Sequence, residues 1–130
     1  MMERRKLEIA LLEKEYGEVE VGPNLDYVLF KHFRLPPGWN RDETEVLILI
    51  PSGYPVTKPD NFYVATGLRL KSEQMPGSYT EGQQHVGKVW GVFSVHLEDD
   101  WQPNASDLLM GHNLLSYTIA VVMKRLSEAN

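Results

Sequence analysis

The sequence predicts an α+β domain: an N-terminal helix, an antiparallel β-meander, an irregular segment and one long C-terminal helix. Three observations carry this. The hydrophobic period switches from helical to alternating after Gly17, and three strand-like runs then follow one another with short proline- or glycine-bearing links. Beyond Pro103 an apolar seam at steps of three and four returns. A length of 130 residues supports one hydrophobic core and is short for two, so a single domain over 1–130 is expected.

Residues 3–16 read as an amphipathic helix, with Leu7 and Leu11 in one short stripe and Ile9, Leu12 and Tyr16 in another beside it. Gly17 stands where a C-terminal cap is wanted, because glycine takes a left-handed conformation without a Cβ clash. Gly22-Pro23-Asn24 marks a turn. Over 26–35 the period becomes two: Tyr27, Leu29, Phe33 and Leu35 share one face with Lys31, and Val28, Phe30, His32 and Arg34 the other. Residues 36–40 turn the chain. The run 43–50 is almost wholly β-branched and aliphatic, as a central strand is, and Pro51 ends it. Residues 61–66 supply the third strand of the meander.

Residues 67–88, rich in Gly, Ser, Gln and Glu, have little periodicity and read as a long surface loop. Residues 89–97 look extended and partly buried. The clearest helix spans 105–128, with Leu108, His112, Leu115, Ile119, Val122 and Leu126 as its seam and Asn104 or Ser106 as its cap. Gly111 inside it costs about 1 kcal/mol relative to Ala and allows a local break.

Composition excludes several classes. A 42% hydrophobic and 24% charged chain is a folded one. No run of about 18 apolar residues occurs, so no membrane span is expected. The charged start, 1–6, precedes no apolar stretch, which argues against a secretory signal and makes the cytoplasm the default location. The net charge of −5, with basic residues scattered apart from Arg4-Arg5-Lys6, makes nucleic acid a poor partner. There is no cysteine, which removes disulfides, thiolate metal sites and every thiol nucleophile. His32, His85, His96 and His112 lack zinc spacing, so neither metal nor cofactor is expected. Trp39, Trp90 and Trp101 read as core or loop-packing residues.

Pro51-Ser52-Gly53-Tyr54-Pro55-Val56-Thr57-Lys58-Pro59-Asp60 resembles the proline-rich segment of ubiquitin-conjugating enzymes. Physically, each proline fixes φ and deletes a donor, holding a crossing loop rigid. Trp101-Gln102-Pro103 resembles that family's Trp-x-Pro element. The order of elements covers nearly the whole chain. The closer match is to the prokaryotic ubiquitin-conjugating-like family E, whose Phe-Ser-x-His, Trp-x-Pro and Asp-x-Leu pattern resembles Phe93-Ser94-Val95-His96, Trp101-Gln102-Pro103 and Asp107-Leu108-Leu109. The resemblance implies two partners, a ubiquitin-like protein and an activating-enzyme-like protein. It also implies a protein-binding face on the first helix, with Arg4, Arg5 and Lys6, and on the Tyr54-Pro55 loop.

The departures bear on chemistry. Ordinary members place their acyl-accepting cysteine eight residues before the Trp, where this chain has Phe93. Their upstream His-Pro-Asn is absent, His85 being followed by Val86-Gly87. The resemblance therefore leads to a cysteine-less homologue acting mainly as a binding module. A second possibility is an atypical acyl carrier: Ser94 and His96 project to one side of an extended strand, with Glu98, Asp99 or Asp100 available to orient the imidazole. Against it stands a half-exposed strand face ending in an acidic turn. A third is a structural or small-ligand domain that only shares the fold.

Overall fold

Gly17 terminates the first helix as its position demands. Its φ is +87° and its N–H reaches the Glu13 carbonyl at 2.8 Å, closing α1 (Met2–Tyr16). The computed structural model describes residues 2–95 and 101–128. Five strands form behind β1 (Glu20–Val21): β2 (Tyr27–Arg34), β3 (Glu43–Leu49), β4 (Phe62–Ala65), β5 (Tyr79–His85) and β6 (Lys88–Phe93). They make one antiparallel sheet in the order β1-β2-β3-β4-β6-β5. The helical run that ends the fold is α2 (Leu114–Tyr117), a π-helical stretch (Thr118–Met123) and α3 (Lys124–Ser127). No helix among the described residues is long and apolar enough to cross a membrane.

The α1 stripe that faces the core is Ile9, Leu12 and Tyr16, whereas Leu7 is exposed. In β2 the expected division of faces holds only in part. Phe30 pairs with Val46 and Phe33 with Thr44, so Lys31 and His32 share the place opposite Glu45. This bulge resets the alternation: Val28 and Phe30 enter the main core before it, and Phe33 and Leu35 enter the same core after it. Leu29 is left on the opposite face, in a smaller cluster with Leu47, Tyr63, Trp90 and Val92. All three indoles are packing residues, their N–H groups donating to the carbonyls of Leu126, His85 and Pro55.

Residues 67–88 are not one long loop. The first part is tied to the 38–40 turn: Lys71 N–H reaches the Gly38 carbonyl, Asn40 bonds Gly67 and Arg69, and Trp39 bridges Leu70. The second part is β5, an edge strand that escapes a periodicity search because only Tyr79 in it is buried. Its hairpin turn is Val86-Gly87, with φ values of 51° and 77°. A two-residue turn with both φ positive suits Asn-Gly, and a β-branched valine there is strained. Val86→Asn is expected to raise stability by about 1 kcal/mol, seen as a higher urea midpoint at unchanged slope.

The C-terminal helix begins nine residues later than expected, at Leu114 rather than 105. Asn113 caps it: its side chain accepts the Ser116 N–H, and the Ser116 hydroxyl accepts the Asn113 N–H. Asn104 instead accepts the N–H groups of Ser106 and Asp107 in a local turn. Gly111 lies outside the helix, where a Cβ would stand 2.6 Å from the Gln102 carbonyl oxygen. Leu108 and His112 are thereby removed from the helical seam, and Ile119 is exposed.

Candidate functional site

Burying a carboxylate is costly unless donors surround it. Glu8, fully buried on α1, has three. Its Oε1 accepts the Tyr54 hydroxyl and, at 2.6 Å, the Leu114 N–H at the start of α2; its Oε2 accepts Arg4 Nε at 2.7 Å. Arg4 passes the contact on, donating to the carbonyls of Asn104 at 2.6 Å and His112 at 3.4 Å. Burial first, then the Glu8 carboxylate, push the Tyr54 phenol well above its ordinary range. Arg5, also buried, donates to the carbonyls of Leu25 at 2.7 Å and Pro51 at 2.9 Å.

The Tyr54-Pro55 bond is cis. Trp101 Nε1 donates to the Pro55 carbonyl at 2.6 Å, and its ring stacks on His112 with centroids 5.2 Å apart at 19°. The residues expected on a protein-binding face therefore divide. Arg5 and Tyr54 are buried and Arg4 half-buried, and their donors join α1 to the Tyr54-Pro55 loop and to the segment 101–114. Lys6 is exposed, Pro55 half-buried, and Val56 beside it exposed.

At the end of β6 the alternation of a strand decides which side chain reaches solvent. Phe93 is fully buried, stacked on Phe62 at 5.2 Å and edge-on to Trp39 at 6.1 Å. The Arg125 guanidinium covers its ring at 4.9 Å. Ser94, the next residue, is exposed, and its N–H reaches the Ser78 carbonyl at 2.9 Å. Val95 N–H is accepted by the Asn61 side chain at 3.3 Å. His96, Glu98, Asp99 and Asp100 lie outside the described residues.

A second polar cluster fixes the hairpin beside this strand end. Glu81 Oε2 accepts Arg69 Nη1 at 2.9 Å, the Tyr79 hydroxyl at 2.7 Å and the Gly67 N–H at 2.8 Å. The Arg69 bond foremost, then those from Tyr79 and Gly67, hold its carboxyl down to about 2. A lowered folded-state value stabilises above the unfolded one, near 4.5, and that share is lost as pH falls toward 2. Glu81→Gln is expected to melt below the wild type at pH 7, and thermal scans should find the gap closing as pH is lowered to about 2.

Sequence reasoning did not find Glu8, Asn61, His112 as a loop-closing residue, or Arg125. Only the i, i+4 spacing of Arg4 and Glu8 carried a signal, and it reads equally as a solvated helix pair. Among the described residues no group of three or more His, Cys, Asp or Glu could hold a metal ion.

The family model described as Prokaryotic E2 family E matches residues 7–121. No curated protein and no solved structure matches the chain. The match takes in α1 from Leu7 onward, the whole sheet and the final helical run as far as Val121, and it includes the Tyr54-Pro55 loop, Phe93 and Trp101. With an α+β architecture of helix, six-stranded antiparallel sheet and C-terminal helix, the chain belongs to the prokaryotic E2 family E.

Proposed function

We propose that the protein is a cysteine-less binding module of a bacterial ubiquitin-like modification pathway, docking the ubiquitin-like and activating-enzyme-like proteins in the cytoplasm. One observation carries the reading. The position that holds the acyl-accepting cysteine in ordinary conjugating enzymes is Phe93, whose ring is sealed in the core under Arg125. A thioester needs a thiolate that an incoming thioester can reach, and a buried phenyl ring offers neither. The exposed side of α1, with Lys6 and Leu7, and the exposed Val56 beside Pro55 are the parts of the family's docking surfaces left free to meet partners.

The exposure of Ser94 favours a second reading, an atypical carrier in which Ser94 or His96 accepts the acyl group. Incubation with the ubiquitin-like and activating-enzyme-like proteins and ATP, followed by intact mass measurement, separates the two. The binding module forms a co-migrating complex and gains no mass. A base-labile adduct that disappears in Ser94→Ala or His96→Ala assigns the carrier role instead. Absence of both complex and adduct leaves a structural or small-ligand domain and overturns both readings.

A further inference from the structure

The segment 101–112 is a closed loop, and a histidine ring closes it. Gln102 N–H donates to His112 Nδ1 at 2.8 Å, and His112 N–H returns to the Gln102 carbonyl at 3.0 Å. Gly111 backs against the 102–104 backbone with no room for a Cβ. Within the loop, the Asp107 carboxylate accepts the Leu109 N–H and the Asp107 carbonyl accepts the Met110 N–H. This bonding holds two large apolar side chains in water: Leu109 is 67% and Met110 73% exposed.

An imidazole nitrogen that accepts an N–H carries a lone pair, so the ring proton sits on Nε2. A second proton has only Nδ1 to take, and there it meets the Gln102 N–H. We propose that His112 is a proton-operated latch: taking a proton from solvent onto Nδ1, the ring releases the Gln102 N–H and loosens the base of the loop that carries Leu109 and Met110, while the His112 N–H stays on the Gln102 carbonyl.

Among the described residues, the charged and titratable groups around the ring come from three elements. From α1, the Arg4 guanidinium lies on the His112 carbonyl, with Glu8 paired behind it. From the Tyr54-Pro55 loop, the Tyr54 phenol stands beyond the Trp101 ring, with centroids 6.1 Å apart. The loop itself supplies Asp107, whose carboxylate is engaged at Leu109. The Arg4 guanidinium lies on the backbone side of His112, and the Trp101 ring covers the imidazole face. The two act on different parts of the motion. The stack keeps the ring against Trp101 while Nδ1 lets go of Gln102, and Arg4 still holds the carbonyls of Asn104 and His112. The latch therefore loosens one rung without unfolding the segment. This goes beyond the binding role proposed above and does not depend on which partner is bound.

The test is an NMR titration of the full chain from about pH 8 to about pH 5, the range in which histidines change charge. At the alkaline end the His112 nitrogen shifts should report the Nε2–H form. As the ring takes up its proton, Gln102 amide exchange, corrected for its intrinsic pH dependence, should speed by about tenfold, as loss of one ordinary hydrogen bond requires. The Leu114 amide, held nearby by Glu8, should not change. His112→Asn keeps an acceptor that does not titrate, and the response should vanish. The latch is overturned if Gln102 stays protected through the titration, if Nδ1 carries the proton at neutral pH, or if His112→Asn responds as the wild type does. The wild-type titration decides alone should that variant fail to fold.

Discussion

Glu8→Ala is expected to cost about 3–5 kcal/mol of folding stability in urea unfolding followed by tryptophan fluorescence. Most of that loss lies in what the substitution leaves behind. The Arg4 guanidinium keeps its charge without its carboxylate, and the Tyr54 hydroxyl and Leu114 N–H lose their acceptor away from water. Domains of this size are stable by only about 5–15 kcal/mol, so the change takes a large share of the whole. Tyr54→Phe removes one donor and leaves the carboxylate two, and should cost only about 1–2 kcal/mol. Because the residues share one network, the cost of the double variant should fall well short of the sum. A loss below about 1 kcal/mol for Glu8→Ala would mean that water replaces the carboxylate, and that α1 is not anchored through it.

A cysteine placed at position 93, where the resemblance to conjugating enzymes puts the acyl acceptor, should not give a reactive thiol. Phe93→Cys removes most of a buried ring and should cost about 3 kcal/mol, by analogy with other large-to-small core changes. Its thiol then faces Phe62 and Trp39 instead of solvent. Ser94→Cys, one residue on, should cost little and be labelled at the rate of an exposed thiol. A difference of about 10³-fold or more between the two rates is expected, since the buried thiol reacts only through opening. The chain has no other cysteine, so the labelling is read without background. Equal rates would mean that β6 presents Phe93 outward, and the binding-module reading would lose its main support.

How much of this was legible in the sequence varied with the kind of signal. α1, the three meander strands and the run at β6 follow from hydrophobic period, because each buries one face. The bulge at Lys31 and His32 breaks that logic silently: both residues are polar, and nothing in the pattern says that the faces exchange there. β5 leaves no such trace, because an edge strand whose side chains lie mostly in water has no apolar period to detect. The apolar pattern sets the helix start too early because Leu108 and His112 fall by chance on the seam, while the cap that decides the boundary is the Asn113–Ser116 pair. At the site, Phe93 was singled out only by the resemblance, which counts eight residues back from Trp101. The Glu8 cluster was not, since it joins residues 106 positions apart in the chain and exists only after folding.

The π-helical stretch carries a consequence for how this helix tolerates changes of length. From Leu114 to Leu126 is a step of 12 residues, which a regular α-helix at about 100° per residue turns about 120° beyond three full revolutions. Yet both leucines are fully buried in the same core. The wider turn of Thr118–Met123 absorbs roughly one residue's worth of rotation and brings them back into phase. In effect the chain holds a spare residue there. Deleting the exposed Ala120 should let the helix close into a regular α form with Leu126 still inward, and the melting temperature should hold or rise. The same deletion made at Lys124 leaves the wide turn in place and rotates Leu126 toward water, so its melting temperature should fall. An insertion that would be a frameshift of faces elsewhere is thus stored within one turn.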